Sequence, residues 1–227
     1  MAADPRARGA VVATGIEVVY RNASGDVRAL AGVDVGLATG VTAIVGPSGS
    51  GKSSLLRVLG LIDRPSAGVV RIDDREVSAL RAGQRRRVRR QRIGYLFQRP
   101  ADNLIAHLSA LENLRLSARI RGDGDAEPVA LLASLGLADR AGHPVERLSG
   151  GEQQRLAVAA AVIGAPAVVL ADEPTAELDA VSAARLLEVV ETMARGGTTF
   201  AVATHDPAVV AIASHVVHLR HGVVDRS

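Results

Sequence analysis

Cysteine and tryptophan are absent from the 227-residue sequence, and only two Tyr and two Phe are present. Without Cys there is no disulfide, no thiolate metal ligand and no Cys nucleophile. With so few aromatic rings, the core must be built from Ala, Val, Leu and Ile. Charge of one sign is also lacking: 27 basic residues face 24 acidic ones, and a net charge of +3 gives no argument for a nucleic-acid partner. Lysine is reduced to a single residue, Lys52. Long hydrophobic runs are missing as well. The longest, Leu156 to Ala171, is broken by Gly164 and Pro166 and falls short of the roughly 20 residues that cross a bilayer. It predicts a helix, a break and a buried strand. Met1 to Gly15 holds Asp4, Pro5, Arg6 and Arg8 without a sustained apolar core, so no secretory signal is expected there. What is present is ample apolar material, 48% of residues, enough for a globular core and too much for a disordered chain. The expectation is one soluble cytoplasmic domain.

Short β-branched runs predict strands at Ile16–Tyr20, Val41–Val45, Val69–Ile72, Ile93–Phe97, Val168–Ala171, Thr199–Ala203 and Val216–Leu219. Helical stretches are expected at Ser53–Leu59, Ala110–Ile120, Gln153–Ile163 and Ala180–Met193, the last with Asp179 as N-cap. Strand–helix alternation at both ends predicts an α/β fold with a parallel sheet covered on both faces. The middle, about residues 99–164, reads as an inserted helical subdomain, with Gly122 to Asp125 as an exposed turn.

The strongest motif is Gly46-Pro47-Ser48-Gly49-Ser50-Gly51-Lys52-Ser53, which fits Gly-x4-Gly-Lys-Ser between a strand and a helix. Its glycines let backbone N–H groups turn inward around phosphate oxygens, and the helix N-terminus adds positive potential. Lys52 supplies a point charge for the β and γ phosphates. The Ser53 hydroxyl can ligate Mg²⁺. Downstream, the apolar run Val168 to Ala171 ends in Asp172-Glu173. Two carboxylates at the end of a buried strand need a partner, and a cation supplies one. Asp172 is expected to hold Mg²⁺ through water, and Glu173 to polarise the attacking water. A third element, Leu148-Ser149-Gly150-Gly151-Glu152-Gln153-Gln154-Arg155, opens a helix with Ser-Gly-Gly, a second anion-binding N-terminus. It points to a composite site shared between subunits.

Leu148 to Arg155 resembles the signature motif of the ATP-binding-cassette (ABC) ATPases, and its spacing to Asp172-Glu173 is similar to theirs. The resemblance runs from about residue 14 to 225 and implies further roles. Tyr20 matches the aromatic residue that stacks on adenine, and Val27 the apolar contact beside it. Gln98, in Tyr95-Leu96-Phe97-Gln98, matches the glutamine that senses Mg²⁺ and couples to the membrane subunit. Asp179, in Glu177-Leu178-Asp179, matches the loop that crosses the dimer interface, and His205 the switch histidine at γ-phosphate.

The implied fold is a P-loop NTPase: a RecA-like core at about 1–98 and 165–227, an N-terminal antiparallel β part, and the helical subdomain at about 99–164. The implied ligands are ATP and Mg²⁺. The implied partners are a second copy of the chain, bound in an ATP-dependent dimer, and a separate integral-membrane permease that carries the protein to the inner face of the membrane.

Leu59 to Gly68, the Arg-rich approach to Ile93, and His205-Asp206-Pro207 are similar to the macrolide-exporter and lipoprotein-release branch. The cell-division ATPases are the alternative. Three positions depart from the family pattern: Ser54 for Thr, Ala159-Ala160-Ala161-Val162 for a stretch holding a basic residue, and Ala176 for Ser or Gly. Arg81 to Arg92 holds seven Arg and no acid. It is expected to form a solvated helix face; permease or membrane contact is the alternative.

Overall fold

The structure is a computed structural model that describes residues 11–22 and 25–225. Most of the Met1 to Gly15 stretch read above, residues 1–10, lies outside the described residues. The chain opens with β1 (Val11–Asn22) and β2 (Gly25–Leu37), an antiparallel pair, followed by β3 (Gly40–Val45) and α1 (Lys52–Leu59). Next come β4 (Ala67–Ile72), β5 (Arg75–Glu76), α2 (Ala82–Arg92) and β6 (Ile93–Leu96). The stretch up to the next strand is helical: α3 (Ala110–Arg121), α4 (Pro128–Ser134) and α5 (Gly150–Val162), with short 3₁₀ turns between. The chain closes with β7 (Val168–Asp172), α6 (Ala180–Arg195), β8 (Thr199–Thr204), α7 (Pro207–Ala211), β9 (His215–Arg220) and β10 (Val223–Asp225). Among the described residues no helix is long and apolar enough to cross a membrane.

Two sheets result. One is antiparallel, in the order β2-β1-β4-β5. The other runs β10-β9-β3-β8-β7-β6, parallel from β9 to β6, with β10 antiparallel at its edge. Side chains alternate across its central strands, so one strand feeds two cores. Val168 and Leu170 of β7 and Ala201 and Ala203 of β8 face a cluster with α1 and the antiparallel sheet. Val169 and Ala171, with Phe200 and Val202, face the opposite cluster, which holds α3, α5 and α6. α1 is thus held between the two sheets, and the loop that starts it is fixed by core packing at both ends. Ala159, Ala160 and Ala161, which depart from the family pattern, are buried on α5. They let α5 lie close on β6, where a Cβ on Gly94 would stand 2.3 Å from the Ala161 carbonyl oxygen.

The structure corrects the reading of the arginine-rich segment. Arg86, Arg87 and Arg90 of α2 are exposed, as expected, but Arg85 is only 9% exposed. Its Nη2 donates to the carbonyls of Leu61, at 2.9 Å, and Asp63, at 2.8 Å, while Arg89 donates to Leu61 at 3.0 Å. These carbonyls lie just beyond α1, where Leu61 takes a left-handed φ of 53° and no helical donor remains for them. Burial lowers the Arg85 pKa, with Arg64 and Arg89 adding to the effect. Arg85→Ala takes the arginine donor from the part-buried Asp63 carbonyl and one of the two arginine donors from Leu61, and is expected to cost about 2 kcal/mol. Arg86→Gln and Arg90→Gln are expected to shift the urea midpoint negligibly. Equal midpoints for all three variants would return Arg85 to the solvated face.

Candidate active site

The Gly46–Gly51 loop joins β3 to α1. Two of its glycines are required by close approach. A Cβ at Gly46 would stand 2.1 Å from the Leu219 carbonyl oxygen, and one at Gly51, where φ is 104°, would stand 2.6 Å from the Ala29 carbonyl oxygen. The loop is therefore wedged between β9 and β2. The Lys52 ammonium turns back over it and donates to the carbonyls of Gly46, at 2.8 Å, and Pro47, at 3.2 Å. Ser50 is buried, and its hydroxyl has no hydrogen-bond partner.

A cavity of about 620 Å³ opens over this loop. It is lined by Val27, by every residue from Gly46 to Ser54, and by Gln98, Asp172, Glu173 and His205. Asp172 ends β7, and it lines the cavity with Ser53 at the start of α1. Burial raises the Asp172 pKa and the neighbouring Glu173 adds to that, while Ser53 and Lys52 oppose it. A half-buried carboxylate in this setting gains from a cation.

Glu173 sits at φ 45°, a left-handed conformation that a side-chain-bearing residue adopts only when its surroundings impose it. Its N–H donates to the Ala203 carbonyl at 2.9 Å, which pins it to the end of β8. Its carboxylate accepts from the Thr204 hydroxyl at 3.2 Å and lies 2.9 Å from His205 Nδ1. His205 is 76% exposed, and the hydrogen bond to Glu173 raises its pKa above 6.5. The Glu173–His205 pair therefore favours a protonated imidazole. In a histidine-resolved NMR titration, His205 is expected to titrate above 6.5 and to fall back toward it in Glu173→Gln. An unchanged midpoint would remove Glu173 as the cause.

Other expected site residues are not among those that line this cavity. Tyr20 stands opposite Val27 in the β1–β2 register. Its hydroxyl reaches Ser54 at 3.4 Å, so its place is the margin beside Val27. Ser149, Gly150, Gly151 and Asp179 do not line the cavity, yet they are brought together elsewhere. Ser149 caps α5, with its hydroxyl accepting from Glu152 N at 3.3 Å. Asp179 caps α6 and accepts from Val181 N and Ser182 N at 3.0 and 2.9 Å. A Cβ on Gly151 would lie 2.7 Å from the Ser182 hydroxyl, which itself donates to Asp179 at 2.7 Å. The N-termini of α5 and α6 thus form a second patch on the same chain.

Several positioning contacts have no expectation behind them. Asn103 holds the turn around Gln98: its Oδ1 accepts from Phe97 N at 3.0 Å and its Nδ2 donates to the Arg99 carbonyl at 3.0 Å. Thr204 accepts from Asp206 N at 2.9 Å while donating to Glu173, and Thr175 donates to Asp206 at 2.8 Å. Thr204 alone carried a signal, as the one polar residue at the end of an apolar strand next to His205.

The sequence profile of the family described as "ABC transporter" matches residues 30–176. The macrolide export ATP-binding/permease protein MacB of Rhodopseudomonas palustris (strain HaA2) is 42% identical over 215 residues, which cover 92% of this chain and 33% of that protein. The chain therefore spans about a third of the length of that relative. The lipoprotein-releasing system ATP-binding protein LolD 1 of Caulobacter vibrioides is 41% identical over 208 residues, 88% of each chain. Among solved structures, the ATP-binding cassette MJ0796, in a dimeric post-hydrolysis state bound to ADP and Pi, superposes with a TM-score of 0.83 at 32% identity, over 95% of this chain and 97% of that one. The chain belongs to the ABC transporter family, as an ATP-binding cassette with a P-loop NTPase fold.

Proposed function

We propose that the chain binds and hydrolyses ATP to drive a membrane permease, in a system related to macrolide export or lipoprotein release. The observation that carries the reading is the single cavity over the Gly46–Gly51 loop, which unites Lys52, Ser53, Asp172, Glu173 and His205. The loop and Lys52 hold the triphosphate. Tyr20 and Val27 flank the base. Glu173 orients the attacking water and accepts its proton, and protonated His205 donates to γ-phosphate.

Ser53, Gln98 and Asp172 offer a hydroxyl, an amide and a carboxylate, oxygen donors that suit Mg²⁺ sharing phosphate and water ligands. No cluster of three His, Cys, Asp or Glu occurs among the described residues, which accords with a cation held partly by its nucleotide. When bound, Mg²⁺ neutralises charge on the β and γ phosphate oxygens.

The helical stretch between β6 and β7 serves as a subdomain that presents the α5 N-terminus to the nucleotide of a second copy. Closure of the pair on ATP, and its opening after hydrolysis, moves the permease through differential contacts to ATP and ADP. The permease places the protein on the cytoplasmic face of the membrane. The test is Lys52→Ala, because no other Lys exists to substitute. ATP affinity is expected to fall at least about ten-fold, with turnover lost. Unchanged affinity in a titration of the purified variant would overturn the phosphate-loop assignment.

A further inference from the structure

Beyond the cavity, a chain of contacts leads from Tyr20 to α2. The Tyr20 hydroxyl donates to the Asp63 carboxylate at 3.0 Å. The same carboxylate takes a bidentate pair from Arg57 of α1, Nε at 2.7 Å and Nη2 at 2.9 Å. Arg57, with help from the Tyr20 hydroxyl, holds the Asp63 carboxyl below its ordinary pKa, so it stays an acceptor. Its backbone is anchored as well: Asp63 N donates to the Arg57 carbonyl at 3.1 Å, and Arg85 holds the Asp63 carbonyl at 2.8 Å.

A second attachment lies beside the first. Val19 N donates to the Ser66 hydroxyl at 3.0 Å, and Ser66 N donates to the Glu17 carbonyl at 2.7 Å. The β1–β2 register shifts between Val18 and Val19, immediately before Tyr20. Such a shift re-aims the side chain that follows it. The turn after α1 therefore grips both the backbone before Tyr20 and the far end of its ring. A tyrosine that is 38% exposed at the end of a hairpin would otherwise sample several rotamers.

We propose that Asp63 is the positioning residue for Tyr20, fixing the ring at the rim of the cavity so that the base-dependent share of nucleotide affinity depends on it. The inference rests on the reading of Tyr20 as the ring that stacks on adenine. A phenol held at one end presents its face without first losing rotamer freedom, and binding gains what that ordering would otherwise cost. Inorganic tripolyphosphate has no base and gains nothing. The same tether joins the base site to α2, which leads directly into β6 and Gln98.

The test compares Asp63→Leu, Asp63→Asn, Tyr20→Phe and Tyr20→Ala in the full chain. ATP affinity is expected to fall about three- to ten-fold in Asp63→Leu and in Tyr20→Phe. Tripolyphosphate affinity should not change, and the loss should appear in KM rather than kcat. Asp63→Asn keeps an oxygen acceptor and should recover most of the affinity. A spectroscopic readout is available because the chain has two Tyr and no Trp. In a Tyr95→Phe background, Tyr20 is the only tyrosine, and a carboxylate that accepts from a phenol quenches its emission. Asp63→Leu should therefore raise the emission of the nucleotide-free protein.

Tyr20→Phe leaves the Arg57–Asp63 pair untouched, so the test stands even if Asp63→Leu does not fold. Wild-type ATP affinity in Tyr20→Phe, or equal losses for ATP and tripolyphosphate in Asp63→Leu, would overturn the proposal. The underlying reading fails separately: it falls if Tyr20→Ala leaves ATP affinity unchanged, whereas a loss in Tyr20→Ala alone leaves it standing and removes Asp63.

Discussion

Glu173→Gln is expected to lower ATP turnover about a thousand-fold while ATP remains bound. The substitution keeps the shape of the side chain and removes its ability to take a proton. It does not touch the elements proposed to hold phosphate: Lys52, the Gly46–Gly51 loop and the N-terminus of α1. It also removes one of two adjacent negative charges from the cavity, since Asp172 and Glu173 are neighbours whose like charges oppose each other. ATP affinity should therefore be unchanged or higher. The backbone reinforces the assignment. Glu173 adopts φ 45° with its N–H fixed to Ala203, and its carboxylate lies against the Thr204 hydroxyl and His205. A strained position over-determined by its neighbours is common where geometry serves chemistry. Single-turnover hydrolysis with trapped ATP measures the effect. Near-normal turnover would remove Glu173 from the role of base and leave the water to be oriented by other groups.

The residues of this cavity were legible because their spacing is dictated by backbone chemistry. Glycines and the lone Lys52 mark the loop, and the apolar run before Asp172 marks the strand that delivers it. Ser149 and Asp179 were legible as helix caps for a similar local reason: a hydroxyl or carboxylate just before a helix satisfies its first N–H groups.

Long-range pairing was not legible. β2, 13 residues from Gly25 to Leu37, is absent from the expected strands, although its second half, Val33-Asp34-Val35-Gly36-Leu37, alternates as a strand does. Its first half is exposed and contains Asp26 and Arg28, and its register against β1 is broken by irregularities. That half becomes a strand by pairing with β1, which no local pattern there announces. α4, at seven residues, is too short for a helical period to stand out.

Arg85 is the more instructive miss. A segment with seven arginines looks uniformly solvated, yet the one β-branched residue of α2, Val88, marks an inward face. Arg85, Arg89 and Arg92 share that face at helical spacing, and Val88, Arg89 and Arg92 are all partly buried. The acceptors for Arg85 are carbonyls released by the left-handed turn at Leu61, and nothing in the arginine run encodes them. The network from Tyr20 through Asp63 to Arg85 was hidden for the same reason. Its members lie on β1, α1, the turn after α1, and α2, and only the packed fold brings them within hydrogen-bonding distance.

Ser149→Arg is expected to abolish ATPase activity while ATP binding to the same chain persists. Ser149, Gly150 and Gly151 do not line the cavity that holds their own chain's phosphate loop. Ser149 and Gly150 are exposed, and space for a Cβ at Gly150 is open. Such a helix N-terminus is completed by an anion. Two identical chains can each present that end to the other's nucleotide only about a two-fold axis. An arginine at Ser149 destroys the cap and fills the space that the partner's γ-phosphate requires. Association should depend on ATP and on protein concentration by mass action, so sedimentation without nucleotide should find mainly monomer.

Mixing Ser149→Arg with Lys52→Ala separates a shared site from a single-chain one. A hybrid dimer combines the sound phosphate loop of the first variant with the sound Ser149–Gly151 turn of the second, and its other site is doubly defective. In an equal mixture about half of the dimers are hybrids, each with one of two sites intact, so about a quarter of wild-type activity should return if one site fires alone. A mixture as inactive as its parts would restrict the mechanism to dimers in which both sites must fire. Full activity of dilute Ser149→Arg by itself would overturn the shared site, because a lone chain would then complete its own γ-phosphate contacts.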